Sequence, residues 1–288
     1  MRDEVSPDDA QRALERQYEM EKSWHKRLMT EDNPASRLSV YYHAYAEVSA
    51  IARERLGIQT ARGFGLGNRS LLAPTLRGRE VLEIGCGYGF AMEAFAAMVK
   101  RIVGTDVVPE ILEIARERLA SRGIVNFDVA CQPAQQIDFP EASFDVVFAD
   151  NVWEHLHPDD AAECARRALR ILRPGGHLII ITVNGRCGPF DISRYFKPRG
   201  SLADGLHLFE WGYTELRKQL TSCGFRSLRS FLLPGSRVLA KCGLVAVASR
   251  IPVDIKYKVA LESSILTKSR MLSKALGIQS VVIVAEKA

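Results

Sequence analysis

Four stretches of this chain place residues where they could do chemistry. The first is Glu83-Ile84-Gly85-Cys86-Gly87-Tyr88-Gly89. Glycines between a strand and a helix let a ligand approach the backbone closely. Position 90 is phenylalanine, so the spacing of a dinucleotide loop fails at its last element. Glu83 adds negative charge just before the first glycine, which repels pyrophosphate and attracts a ligand carrying an ammonium or sulfonium group. The second is Asp106, 21 residues after Gly85. An acid there can accept hydrogen bonds from the ribose hydroxyls of an adenosine ligand, though it would also suit a helix N-terminus. The third is Asp150-Asn151-Val152-Trp153-Glu154-His155. With an unperturbed pKa of about 6.5, His155 could take a proton from a hydroxyl. Alternatively, Glu154 and His155 cap or buttress the next helix. The fourth runs from Gly205 to Tyr213 and holds His207 and Trp211, either beside an acceptor or in a packed aromatic hinge.

The surrounding pattern alternates strands with helices. Apolar segments at 81–84, 101–106, 126–130, 144–149 and 177–183 predict five strands, the last a continuous apolar run suited to a sheet buried on both faces. Helices are expected over 90–99, from Pro109 to before Gly123, and over 159–172, with Arg173-Pro174-Gly175-Gly176 as a turn. Such alternation implies a parallel α/β sheet with right-handed crossovers. A long irregular connection, 184–212, follows the fifth strand, and such loops are usually functional. A helix over 213–222 and strands at 226–233 and 280–286 complete the sheet. Two helices, near 236–249 and 256–275, form an insertion. Residues 7–57 read as helical, with a break at Asn33-Pro34, and Gly63–Gly67 as a loop. The chain thus divides into an N-terminal helical segment, 1–77, acting as lid or buttress, and a ligand-binding domain, 78–288.

Of the 288 residues, 47% are hydrophobic and 25% charged, as in an ordinary globular protein. The first twenty residues are too polar for a signal peptide, and no apolar run approaches the ~18 residues of a membrane span. The six cysteines have no zinc spacing and read as reduced thiols. A cytoplasmic protein, with peripheral membrane contact as an option, is the expectation. Residues 80–183 carry 9 basic and 16 acidic side chains, whereas 184–288 carry 17 and 7. Charge so divided suggests two ligand environments of opposite sign.

With Val81–Gly89, Gly104-Thr105-Asp106, Ser143–Val147 and Leu172–His177, the chain resembles class I S-adenosylmethionine-dependent methyltransferases, in the small-molecule, ubiquinone-biosynthesis-like branch. The resemblance covers about residues 78–233. It implies a doubly wound, Rossmann-like, seven-stranded sheet whose last strand is antiparallel, and S-adenosylmethionine as co-substrate. Donor contacts are expected at Glu83, Gly85, Cys86, Gly87, Gly89, Asp106, Val107, Gln132, Ala134 and Asn151. Relatives often carry an acid for the adenine amino group where this chain has Pro133 and Ala134, so Gln132 or Gln135 would have to serve. Some relatives bind a divalent metal through a glutamate three residues before the Glu-His pair. Asn151 stands there, and no metal is expected. His155 and His207 are the catalytic candidates, and Trp153, Arg194 and Trp211 the acceptor-binding ones. The expected reaction is methyl transfer to an oxygen, nitrogen or carbon of a small metabolite, anionic or lipid-linked in view of the basic C-terminal third. The alternative is a non-catalytic module that binds the donor or adenosine and works through partners. A homodimer is an option, and nucleic acid is not an expected partner, because the Asn/Asp-Pro-Pro-aromatic motif is missing.

Overall fold

The structure, a computed structural model, describes residues 7–56, 69–231, 252–263, 273 and 278–288. The glycine-rich 63–67 stretch, the helix expected near 236–249 and most of that expected over 256–275 lie outside them.

Eight strands form one sheet in the order β3-β2-β1-β4-β5-β8-β6-β7. They are β1 (Glu80–Ile84), β2 (Arg101–Asp106), β3 (Phe127–Cys131), β4 (Phe144–Asp150), β5 (Leu172–Val183), β6 (Ser227–Phe231), β7 (Pro252–Asp254) and β8 (Ser280–Glu286). β1 to β5 are parallel, and β8 runs antiparallel between β5 and β6. The seven expected strands are present, and the three-residue β7 adds an eighth at the β6 edge. Alternation along the strands divides the core. Leu82, Ile84, Val147, Ala149, Leu178 and Ile180 face one layer, while Val81, Val146, Phe148, Ile179 and Ile181 face the other.

The helices are α1 (Pro7–Thr30), α2 (Pro34–Leu56), α3 (Arg69–Leu76), α4 (Phe90–Phe95), α5 (Pro109–Ser121), α6 (Pro158–Ile171), α7 (Tyr213–Ser222) and α8 (Ile255–Glu262). α4 is shorter than its apolar pattern suggests. The Asn126 side-chain amide donates to the carbonyls of Ala96 and Val99, and Gly78 N–H donates to Met98 O, so the chain turns there instead of continuing the helix. The Arg173–Gly176 turn is realised as a bulge inside β5. Phe144 pairs with Leu172 and Val146 with His177, so Asp145 alone faces four residues.

The α1–α2 hairpin is bonded into the domain at two places. Buried Arg37 donates to both oxygens of buried Asp160 in the first turn of α6, each at 2.8 Å. Tyr41 Oη donates to the same carboxylate and accepts from His157 N–H at 2.6 Å. On α1, Tyr18 donates to Asp204 and stacks on Phe196. Glu21 accepts from Leu206 N–H. Among the described residues no helix is long and apolar enough to cross a membrane.

Candidate active site

The glycine loop leaves β1 with Gly85, Gly87 and Gly89 all at positive φ, 66°, 50° and 74°. At Gly85 space is as restrictive as conformation, since a Cβ would stand 2.5 Å from Val152 Cγ2. The loop is tied to β2 by Cys86 N–H, which donates to Thr105 O, and by Gly87 N–H, which donates to Asp106 Oδ2 at 3.0 Å. Val108 N–H donates to the other Asp106 oxygen at 3.1 Å. Asp106 therefore organises both loops, while each oxygen keeps a further lone pair for a ligand.

A cavity of about 250 Å³ opens at the carboxyl ends of β1, β2, β3 and β4. Of the expected donor contacts, Gly85, Asp106, Val107, Gln132, Ala134 and Asn151 line it. Its remaining wall includes Tyr41, Tyr45 and Ser49 of α2, together with Gln135 and His155. Three other expected donor contacts serve the loop from behind. The Cys86 side chain is buried and packs on Gly104, where a Cβ would meet its Sγ at 2.8 Å. Gly89 backs onto Ala115 and Leu119 of α5, and Gly87 acts through its N–H on Asp106.

Glu83 is only 3% exposed, and its Oε2 has no hydrogen-bond partner. Burial first, then the nearby Asp150 and Asp106 carboxylates, push its pKa well above the usual carboxylate range. Asp106 is also raised by burial, against the backbone N–H groups that lower it. The two glutamines offered for the adenine contact differ in their surroundings. Both ends of the Gln132 amide are engaged by the Asp138 backbone, while buried Gln135 has an amide nitrogen without a partner and lines the cavity. Gln135, not Gln132, is the amide left with an unbonded group at the cavity.

Neither Glu154 nor His155 caps α6; His157 does, accepting from Asp159 N–H. Thr182 Oγ1 of β5 donates to Glu154 at 2.7 Å. His155 Nδ1–H donates to Leu206 O at 2.9 Å, which leaves Nε2 as an acceptor. Its ring stands edge-on to Tyr45 and to His207, at 5.6 and 4.9 Å between centroids. His207 Nδ1 bonds to Glu210 Oε1 at 2.7 Å, and that oxygen also accepts from Phe190 N–H at 2.6 Å. One side-chain atom each of Glu154, His155 and His207 lies within 4.8 Å of the other two. The two imidazoles behave in opposite ways. Burial, with the charge of His207, brings His155 down to about 3. Burial would lower His207 too, but the Glu210 hydrogen bond and the charges of Glu154, Glu210 and Asp191 raise it overall. His155 is thus neutral at physiological pH, and of the two rings His207 binds a proton the more readily.

Trp153 and Trp211 do not face an acceptor. Trp153 is fully buried and donates to Gln219 Oε1, and Trp211 donates to Trp153 O within the same core. Exposed Arg194 also lies away from the first cavity and faces a second one in the loop after β5. Glu210 was not among the expected site residues, whereas the N-terminal segment was expected as a lid or buttress and Gln135 as the alternative to Gln132.

Residues 82–180 match the family model of a methyltransferase domain. Over 110 residues the chain is 34% identical to a ubiquinone biosynthesis O-methyltransferase of Bradyrhizobium sp. (strain ORS 278), covering 38% of this chain and 42% of that protein. Over 155 residues it is 32% identical to a probable S-adenosylmethionine-dependent methyltransferase of Mycolicibacterium smegmatis, covering 54% of each. The chain thus spans about half the length of these curated relatives. In fold it is similar to the 1,6-didemethyltoxoflavin-N1-methyltransferase of Burkholderia thailandensis, solved with bound 1,6-didemethyltoxoflavin and S-adenosylhomocysteine. The TM-score there is 0.53 at 19% identity, over 86% of this chain and 90% of that one.

Proposed function

We propose that this chain, which carries a class I S-adenosylmethionine-dependent methyltransferase domain, moves a methyl group from that donor to an oxygen, nitrogen or carbon of a small-molecule acceptor. The observation that carries the proposal is Glu83. A buried carboxyl with a partnerless oxygen, near Asp150 and Asp106, is costly unless a cation completes it. S-adenosylmethionine brings both an ammonium and a sulfonium. Asp106 keeps lone pairs for ribose hydroxyls, and Gln135 offers its amide to the adenine ring.

When bound, the donor supplies an already activated methyl carbon, so the protein's task is to position and to exclude water. α2 covers the cavity with Tyr41 and Tyr45 and is bolted down by Arg37 and Asp160. His155 Nε2 accepts a hydrogen bond from the hydroxyl or amine of the acceptor and orients it. His207, with Glu210 behind it, is the neighbouring group able to keep a proton released during attack. The charge of the acceptor is taken up below.

Titration calorimetry tests the donor site. Wild type should bind S-adenosylhomocysteine, and Asp106→Ala should bind it about 10- to 100-fold more weakly, the value of a buried charged hydrogen bond. Absence of donor binding in wild type would sink the proposal. Equal affinity in the variant would remove Asp106 from the site.

A further inference from the structure

On the far side of Glu210 the loop after β5 encloses a second cavity, of about 660 Å³. Arg194, Lys197 and Arg199 line it, with Tyr195, Gln279 and the backbone from Cys187 to Phe190, and among the described residues no carboxylate does. The cations are held in place. Lys197 Nζ lies 3.0 Å from Asp204, and the Arg194 guanidinium lies 4.7 Å from the Tyr195 ring centre and donates to its hydroxyl. Arg199 donates to Ser273 Oγ, which also receives Gln279 Nε2, both at 3.0 Å. The wall toward the histidines is thin. A Cβ at Gly188 would stand 2.0 Å from Glu210 Oε2, and one at Gly185 2.2 Å from Glu210 O. Glu210 therefore packs with one carboxylate oxygen against Gly188, which lines the basic cavity, and holds His207 with the other.

We propose that this cavity binds the phosphate of the acceptor, a phosphomonoester or diphosphate group, while the rest of that molecule extends past Glu210 toward His155 and His207. The assignment of the ligand as acceptor rests on the methyl-transfer proposal; the binding of phosphate does not. Two guanidinium groups and an ammonium line this one cavity, and the donor forks of arginine match phosphate oxygens in pairs. Tyr195, 59% exposed, and Leu202, 85% exposed, put apolar surface in the same loop. That combination serves a free phosphorylated metabolite or a lipid headgroup, and the two sources can be told apart.

The full chain is titrated with pyrophosphate and, separately, sedimented with phosphatidylcholine vesicles with and without phosphatidylglycerol. Pyrophosphate should bind saturably, and Arg194→Ala/Arg199→Ala should weaken it about tenfold or more. Arg217→Ala/Lys218→Ala, which removes equal charge from the exposed face of α7, should not. Arg194→Ala alone, at an exposed position, should show part of the loss and guards against misfolding of the double variant. Retention of wild type only by anionic vesicles, lost in Arg194→Ala/Arg199→Ala, would identify the headgroup as the source. If wild type binds neither probe, or the double variant binds like wild type, the site is overturned. S-adenosylhomocysteine is titrated alongside. Its binding intact in every protein confines such a failure to the phosphate site, whereas its absence in wild type strikes the methyl-transfer proposal.

Discussion

The donor cavity gathers acids and the cavity beyond Glu210 gathers bases, and the two hold their charges in different ways. Glu83 and Asp106 are desolvated, so the first site stores free energy that a cationic ligand releases on binding. Arg194 and Arg199 remain exposed and hydrated, so the second cavity attracts ligands through a field that salt screens over about 8–10 Å. Donor affinity should therefore respond little to salt, and phosphate affinity strongly. The two sites also depend on the N-terminal hairpin through different helices: α2 walls the donor cavity, and α1 braces Asp204 and Leu206.

The largest expected effect comes from breaking the bolt beneath the donor cavity. Arg37→Ala leaves Asp160 buried without its cation, which should cost about 3–5 kcal/mol in denaturant unfolding. It also frees α2 from α6, so donor affinity should fall further than pyrophosphate affinity. A variant as stable as wild type would show that the hairpin is not an integral part of the domain.

Glu83→Gln sharpens the contrast, because its two effects have opposite signs. Donor binding should weaken by about 1.5–3 kcal/mol, the value of a charged hydrogen bond. The ligand-free protein should not lose stability at neutral pH. The folded-state pKa of Glu83 lies above its unfolded value, so its contribution to stability is fully present below about pH 4 and is lost as pH rises through the folded pKa. The variant should equal wild type in acid and match or exceed it in thermal stability at higher pH. A variant less stable at every pH would mean that Glu83 is a structural bond and not a poised charge.

What could be read from the sequence was local. The glycine loop, Asp106 and the strand alternation depend on near neighbours, and the structure places them as their spacing implied. What could not be read was set by distant segments. Trp153 and Trp211 have the composition of a pocket wall, but α7 and the core claim them from outside their own loops. Gln132 and Gln135 are alike in sequence, and only the return of the chain at Asp138 decides which stays open. The tyrosines of the N-terminal helices suit a pocket wall by composition, but the Asp160 contact that fixes Tyr41 there comes from more than a hundred residues on. Glu210 carried no motif; its signal was a glutamate three residues after a histidine, which gains meaning only once Gly188 packs on its far side.

The smallest expected effect tests the wall between the two cavities. If His207 takes the proton of the acceptor, kcat must fall as pH drops through its pKa, because an imidazolium cannot accept. The groups facing His207 are Glu210 and Asp191 on its own loop, Glu154 and His155 from the loop after β4, and Glu21 from α1. Glu210→Gln removes one raising charge and keeps the shape, so the acid limb of kcat should move to lower pH, with a lower plateau from the weaker base. Glu210→Asp restores the charge at a shorter reach and should return part of the shift. A purely packing role for Glu210 would lower activity without moving the limb. His155 gives the internal control: neutral across this range, it has no charge to lose, so His155→Gln should raise KM for the acceptor and leave the limb where it was. A limb that follows His155 instead would exchange the roles of the two histidines.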